Sequence, residues 1–254
     1  MFFRQLLNED TACASYLFGC KSKRAFAVVD AHVDLVDEYV RLAEAQGIPI
    51  VAVFETHVQA DHASGLPELV ARTGAAAYLP EGAGVSIEHT ALADGAVVEL
   101  GNTTVKALAT PGHAAAHHAY AITDHTRADE PWLVLTGDAL LVGDAGRPDL
   151  HAHGEISSED MARQLYLSIR DKLLKLPDYV ALYPAHYSGS VCGRGLSANP
   201  SSTVGFERAH NRALSFDSED AFVAALVKDI PPAPERQGEI LAANRAGRRL
   251  AALL

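Results

Sequence analysis

The apolar positions of this chain change period several times, and the changes divide it into elements. Phe2–Leu7, Ala14–Phe18 and Ala25–Val29 are short apolar segments separated by polar or Gly-containing turns, the pattern of an opening β-meander. Val33, Val36, Val40 and Ala43 recur at helical spacing, which predicts a helix to Gln46, and Gly47-Ile48-Pro49 ends it. Ile48–Phe54 then reads as a buried strand, and Leu66–Ala71 as a helix with Ser64 as its N-cap. Strand-like runs follow at Ala75–Leu79, Ala96–Leu100, Thr104–Ala109, His118–Thr123 and Trp132–Thr136, with turns at Asp94-Gly95 and Gly101-Asn102. A long helix is predicted over Ser158–Leu174, capped by Ser157 or Ser158, then a strand at Tyr179–Tyr183. The remainder reads as mostly helical: Glu219–Val227, and a last helix from about Glu235 to Leu253 after Pro231-Pro232-Ala233-Pro234. Two sheet-rich halves, each closed by helices, predict an α/β fold, an αββα sandwich with a helical C-terminal appendage.

Composition narrows the possibilities without choosing among them. A 254-residue chain with 48% hydrophobic residues can bury a substantial core. Its formal charge of −11 argues against a nucleic-acid surface but not against a small anionic substrate held by a few local arginines. Cys13, Cys20 and Cys192 are an odd number without metal-type spacing and point to a reducing compartment. No run is apolar enough to span a membrane, and Met1–Leu7 is too quickly interrupted to read as a signal peptide, so a cytoplasmic location is expected.

The candidate chemistry lies at strand ends. After Ile48–Phe54 comes Thr56-His57-Val58-Gln59-Ala60-Asp61-His62. Thr104–Ala109 leads into Thr110-Pro111-Gly112-His113, Trp132–Thr136 into Gly137-Asp138, and Tyr179–Tyr183 into Pro184-Ala185-His186. Any one of these residues alone is an ordinary turn or surface position. Four apolar strands that each end in a potential ligand predict a metal site, because loops at strand ends converge side chains from distant sequence. His117, His118, His151 and His153 are set aside as ligands; His117 and His118 start a strand, where only one of two neighbours can face a site. Cys192 reads as a buried small residue ahead of a redox thiol.

His57-Val58-Gln59-Ala60-Asp61-His62, Thr110-Pro111-Gly112-His113, Gly137-Asp138 and Pro184-Ala185-His186 resemble, in order, the metal motifs of the metallo-β-lactamase superfamily. Within it, Thr136–Leu150, with Gly137-Asp138 and Gly146-Arg147-Pro148-Asp149, is similar to the signature of the persulfide dioxygenases, also called sulfur dioxygenases. Gly189–Pro200 resembles members sometimes fused to a rhodanese domain, for which no residues remain here. The resemblance covers most of the first 190 residues. It implies a metallo-β-lactamase-fold catalytic domain over residues 1–200, with 201–254 a helical extension of it.

The resemblance also implies one Fe(II) per chain, held by His57, His113 and Asp138. Two imidazoles and a carboxylate form a facial triad that leaves positions open for substrate and O₂. The implied reaction is oxidation of glutathione persulfide, or a similar thiol persulfide, to sulfite and free thiol. Gln59 stands where dinuclear zinc hydrolases of the superfamily carry a histidine ligand of the first metal, and where Asp61, His62 and His186 serve the second. The glutamine therefore favours one iron, with Asp61, His62 and His186 as supporting catalytic groups that orient ligands or bind water. Arg147 and Arg194 are candidates for a glutathione carboxylate, or else brace their loops. Tyr187 is a further candidate at the substrate, at a position where many relatives carry Asp, whose role does not transfer. Two alternatives stand beside this: a glyoxalase II-like, metal-dependent thioester hydrolase, and a scaffold that has lost its metal. Expected partners are the small-molecule persulfide and O₂, with neither nucleic acid nor membrane, and a homodimer is possible.

Overall fold

In the computed structural model, which describes residues 1–151, 156–230, 232–234 and 236–248, two six-stranded sheets face each other between helical layers. The first half runs β1 (Phe2–Asn8), β2 (Cys13–Cys20), β3 (Ala25–Val29), α1 (Val36–Gln46), β4 (Ile50–Phe54), α2 (Leu66–Thr73), β5 (Ala76–Pro80) and β6 (Thr90–Leu92). The second runs β7 (Val97–Leu100), β8 (Thr103–Ala109), β9 (His118–Asp124), β10 (Leu133–Gly137), a small ladder of β11 (Leu140–Leu141) with β12 (Asp144–Ala145), α3 (Ser158–Asp171), β13 (Ala181–Pro184) and β14 (Ser202–Thr203). Three helices close the chain: α4 (Val204–His210), α5 (Glu219–Val227) and α6 (Gln237–Arg245).

One sheet has the order β1-β2-β3-β4-β5-β6, antiparallel through β3 and parallel from β3 to β6. The other has the order β14-β13-β10-β9-β8-β7, with β10 and β13 parallel. Side-chain alternation explains the layering. Tyr16 and Phe18 of β2 point into the space between the sheets, where they meet Val105, Tyr120, Ile122 and Leu135. Leu17 of the same strand points the other way and packs under Val36 and Tyr39 with Phe26, Val28 and Leu69. On the far side, Val134 and Leu182 lie under Leu165 and Ile169 of α3 and Phe222 and Val223 of α5. The predicted αββα sandwich is the observed fold.

Differences from the sequence reading are local. The first helix opens with a tight turn at Val33–Leu35, and the N-cap residue of α2 is Gly65. Ser64 still works one residue earlier: its hydroxyl accepts the Leu66 N–H and donates to Glu55. Helix α3 ends at Asp171, followed by a short 3₁₀ turn at Leu173–Lys175, and its start is fixed by a Ser157–Asp160 capping box. Strands β6 and β14 and helix α4 carry too few periodic apolar positions to have been expected. The last helix spans Gln237–Arg245 and stops short of its expected end, since residues 246–248 are not helical; Glu235 and 249–253 of the expected range lie outside the described residues.

Candidate metal centre

Strands β3, β4, β10 and β13 bring their carboxyl ends to the same side of the sandwich, the usual place for a site in sheets with parallel strands. Beyond β4 the buried run ends and Glu55, Thr56 and His57 follow, all buried. Beyond β3 comes Asp30, in the left-handed region at φ 51°. Its carboxylate accepts the Thr56 N–H at 2.7 Å and the Thr56 hydroxyl at 3.0 Å. A hydroxyl has one proton to give, so Thr56 Oγ1 accepts from His57 Nδ1, 3.0 Å away, and leaves Nε2 with its lone pair. Burial, with His113 beside it, pushes His57 well below the usual imidazole range, which keeps it neutral.

His113 is oriented by the same logic. Its Nδ1 donates to the Arg147 carbonyl at 2.8 Å, and its Nε2 lies 3.4 Å from Asp138 Oδ2. Gly112 lets the loop reach there: at φ 138° a Cβ would sit 2.4 Å from the Leu165 backbone of α3. Gly137 plays the same part before Asp138, where a Cβ would press into His117 and Thr56. His117 Nε2 accepts the Asp138 N–H at 3.1 Å while its Nδ1 meets Thr110 Oγ1 at 2.8 Å. Burial first, then His113, lowers His117 to about 3, so it is neutral and can accept.

Asp138 is the pivot. Its Oδ1 accepts from His186 Nδ1 at 2.7 Å, whereas Oδ2 is buried without a hydrogen-bond partner. A buried, orphaned carboxylate oxygen beside an imidazole nitrogen is costly unless a cation satisfies it. Burial would raise the Asp138 carboxyl, but the charges of His186 and His113 outweigh it and hold it below the usual range. His57, His113 and Asp138 therefore fit a metal ion: a neutral His57, a His113 ring anchored through Nδ1, and an ionised carboxylate with an unpartnered oxygen.

Next to this group lies a second cluster. His186 Nε2 meets Asp61 Oδ2 at 2.7 Å, and Asp61 Oδ1 meets His62 Nδ1 at 3.1 Å. Burial alone would depress His186, yet Asp138 and the other negative groups around it raise it well above the usual range. It is thus an imidazolium held between two carboxylates. Cys13, at the start of β2, lies 3.2 Å from His186 and 3.4 Å from His62; burial raises its thiol, but the two imidazoles win and bring it to about 7. The donor atoms of Cys13, Asp61, His62 and His186 lie within 4.8 Å of one another. Cys192 is buried 3.8 Å from Asp61, and burial raises its thiol well above the usual range.

The structure thus gathers His57, Asp61, His62, His113, Asp138 and His186 at one place. Gln59 is buried, and its amide nitrogen is 3.4 Å from Asp30. The three residues expected at the substrate have other partners. Arg147 forms a two-pronged pair with Asp149, 2.8 Å on each arm, and also donates to the Val191 and Pro232 carbonyls. Arg194 donates to the Ala225, Leu226 and Lys228 carbonyls at the end of α5, and the Tyr187 hydroxyl donates to the Asn8 carbonyl at 3.2 Å. His151, set aside from sequence, lies with His57 and His113, one ligand atom of each within 4.8 Å of the others. His118 is buried at the head of β9, and His153 lies outside the described residues. Asp30 and Asn244 were not anticipated, although Asp30 follows the apolar run of β3 as the other site residues follow theirs. Asn244 of α6 donates to the Gln59 and His62 carbonyls at 2.9 Å and accepts the Ser64 N–H at 3.0 Å, so it clamps the histidine loop.

Comparison with known proteins places this geometry. The metallo-beta-lactamase superfamily pattern matches residues 9–186. The persulfide dioxygenase ETHE1 of Bos taurus is 26% identical over 246 residues, covering 96% of this chain and 87% of that protein. A hydroxyacylglutathione hydrolase of Polaromonas is 30% identical over 178 residues, 68% of this chain and 61% of the other. Among solved structures, a metallo-beta-lactamase from Staphylococcus aureus superposes with a TM-score of 0.88 at 32% identity, covering 97% of this chain and 72% of that one. ETHE1 from Myxococcus xanthus gives 0.83 at 29%, covering 97% and 99%. No helix among the described residues is long and apolar enough to cross a membrane.

Proposed function

The chain belongs to the metallo-beta-lactamase superfamily, and on that premise we propose that it is a mononuclear Fe(II) dioxygenase acting on a thiol persulfide. The balanced reaction is RSSH + O₂ + H₂O → RSH + SO₃²⁻ + 2H⁺, with glutathione or a similar low-molecular-weight thiol as RSH. The observation that carries this reading is the division of Asp138, one oxygen given to His186 and the other facing His113 without a partner. That division suits one metal held by His57, His113 and Asp138. Both nitrogens of His186 are meanwhile engaged by carboxylates, where a second metal would need one of them. The similarity to persulfide dioxygenases across nearly the whole chain supports the same choice over a dinuclear hydrolase, whose similarity is shorter.

When bound, Fe(II) supplies open coordination positions at which a persulfide sulfur and O₂ can meet. The chain's own residues do the rest. His117 and His186 fix Asp138 from its backbone and its Oδ1, and the Arg147 carbonyl fixes His113. Asp138, His186, Asp61 and His62 form a continuous hydrogen-bonded row along which the two released protons can leave the buried site. Arg147, Arg194 and Tyr187 spend their donors on protein acceptors, so we assign them to holding the 143–149 and 187–194 loops rather than to gripping a carboxylate. Iron-loaded protein should consume O₂ when given glutathione persulfide and should leave S-lactoylglutathione intact. Thioester hydrolysis without persulfide oxidation would move the assignment to the hydrolases.

A further inference from the structure

Resting on the metal site proposed above, we propose that His151 supplies a third imidazole to that metal, in place of the histidine that Gln59 replaces. The three rings surround a common point. Ring centroids of His151 lie 5.6 Å from His113 and 5.9 Å from His57, against 4.9 Å between His57 and His113 themselves. The rings cross at 65°, 78° and 85°, edge toward face, so they converge on shared space and do not stack past one another. One nitrogen from each lies within 4.8 Å of the other two. Metal–imidazole bonds of about 2.0–2.1 Å put neighbouring donors roughly 3 Å apart, so small rotations complete the site.

The segment that carries His151 is held on the side leading into the site. The Arg147 carbonyl receives the His113 ring, Arg147 and Asp149 form their fork, and the Leu150 carbonyl accepts from Gln237 at the start of α6. Leu150 is buried, and His151 itself is only 9% exposed. Gln59, by contrast, has its amide nitrogen near the Asp30 carboxylate and its backbone carbonyl held by Asn244. The imidazole missing from the first loop thus has a counterpart placed beside His57 and His113 by a loop roughly ninety positions later. With Asp138, three imidazoles would leave two positions of an octahedral ion, enough for one sulfur and one O₂.

The test uses the metal-free protein with one equivalent of Co(II) and no persulfide, so its outcome is independent of the oxidation reaction. Proton NMR of the Co(II) protein should show three hyperfine-shifted imidazole N–H signals, and His151→Gln should remove one of them. Fe(II) affinity, measured by chelator competition, should fall at least about tenfold in His151→Gln and stay near wild type in Gln59→Ala. Two shifted signals in the wild type, or three that survive in His151→Gln, would overturn the assignment while leaving the dioxygenase reading intact. The wild-type count decides the matter even if the variant does not fold. Conversely, three signals in a protein that never oxidises persulfide would keep the His151 site and discard the activity.

Discussion

At the scale of single residues, Asp138 and the two histidines beside it form a site whose cost in the absence of a cation can be read directly. Oδ2 of Asp138 is fully buried without a donor, and the imidazoles of His57 and His113 each have one nitrogen committed elsewhere. Asp138→Ala or His113→Ala should therefore abolish iron binding, whereas Gln59→Ala should retain most of it. Elemental analysis after anaerobic reconstitution checks this, and a Gln59→Ala protein stripped of iron contradicts the reading of that residue. A second residue-scale prediction concerns His32, whose Nδ1 accepts the Asp34 N–H and so cannot carry a proton. Burial, reinforced by His62, lowers His32 to about 3. The unfolded chain takes up this proton below about pH 6.5, so the contribution of His32 to stability falls as pH drops from there toward 3. At pH 5 the loss is about 2 kcal/mol. Urea unfolding of His32→Gln at pH 7 and 5 should show a pH dependence smaller by that amount; an unchanged dependence would remove His32 from the account.

At the scale of elements, the loops matter more than the strands they follow. Helix α6 reaches back across the chain so that Asn244 holds three backbone groups of the histidine loop. Replacing it with alanine leaves those buried groups unpaired and should cost about 2–3 kcal/mol in denaturant unfolding, with weaker iron binding. A change below 0.5 kcal/mol would show that the loop holds its shape without the helix. His57, His113 and Asp138 were legible because each lies just beyond the end of an apolar run, a local signal carried by the strand end. The functions of Asn244, His117 and Asp30 were not, because they depend on pairings across the fold that no periodicity encodes. Strand β6 is three residues long at a sheet edge, and β14 is two, so neither has room for an alternation pattern. The pairing of β10 with β13, which sets Asp138 against His186, is likewise a product of topology.

At the scale of the whole molecule, the αββα sandwich was legible because both sheets alternate between an inner layer shared by the two and outer faces that need helices. The same layering brings the ends of β3, β4, β10 and β13 into one buried place on an acidic protein of net charge −11. The central claim is that this place oxidises a persulfide with O₂. The most direct measurement is an oxygen electrode on iron-loaded protein, with sulfite assayed in parallel after addition of glutathione persulfide. The account predicts one O₂ consumed per sulfite formed, and background uptake when Asp138→Ala replaces the wild type. No persulfide-dependent O₂ uptake by protein that demonstrably holds its iron would contradict it.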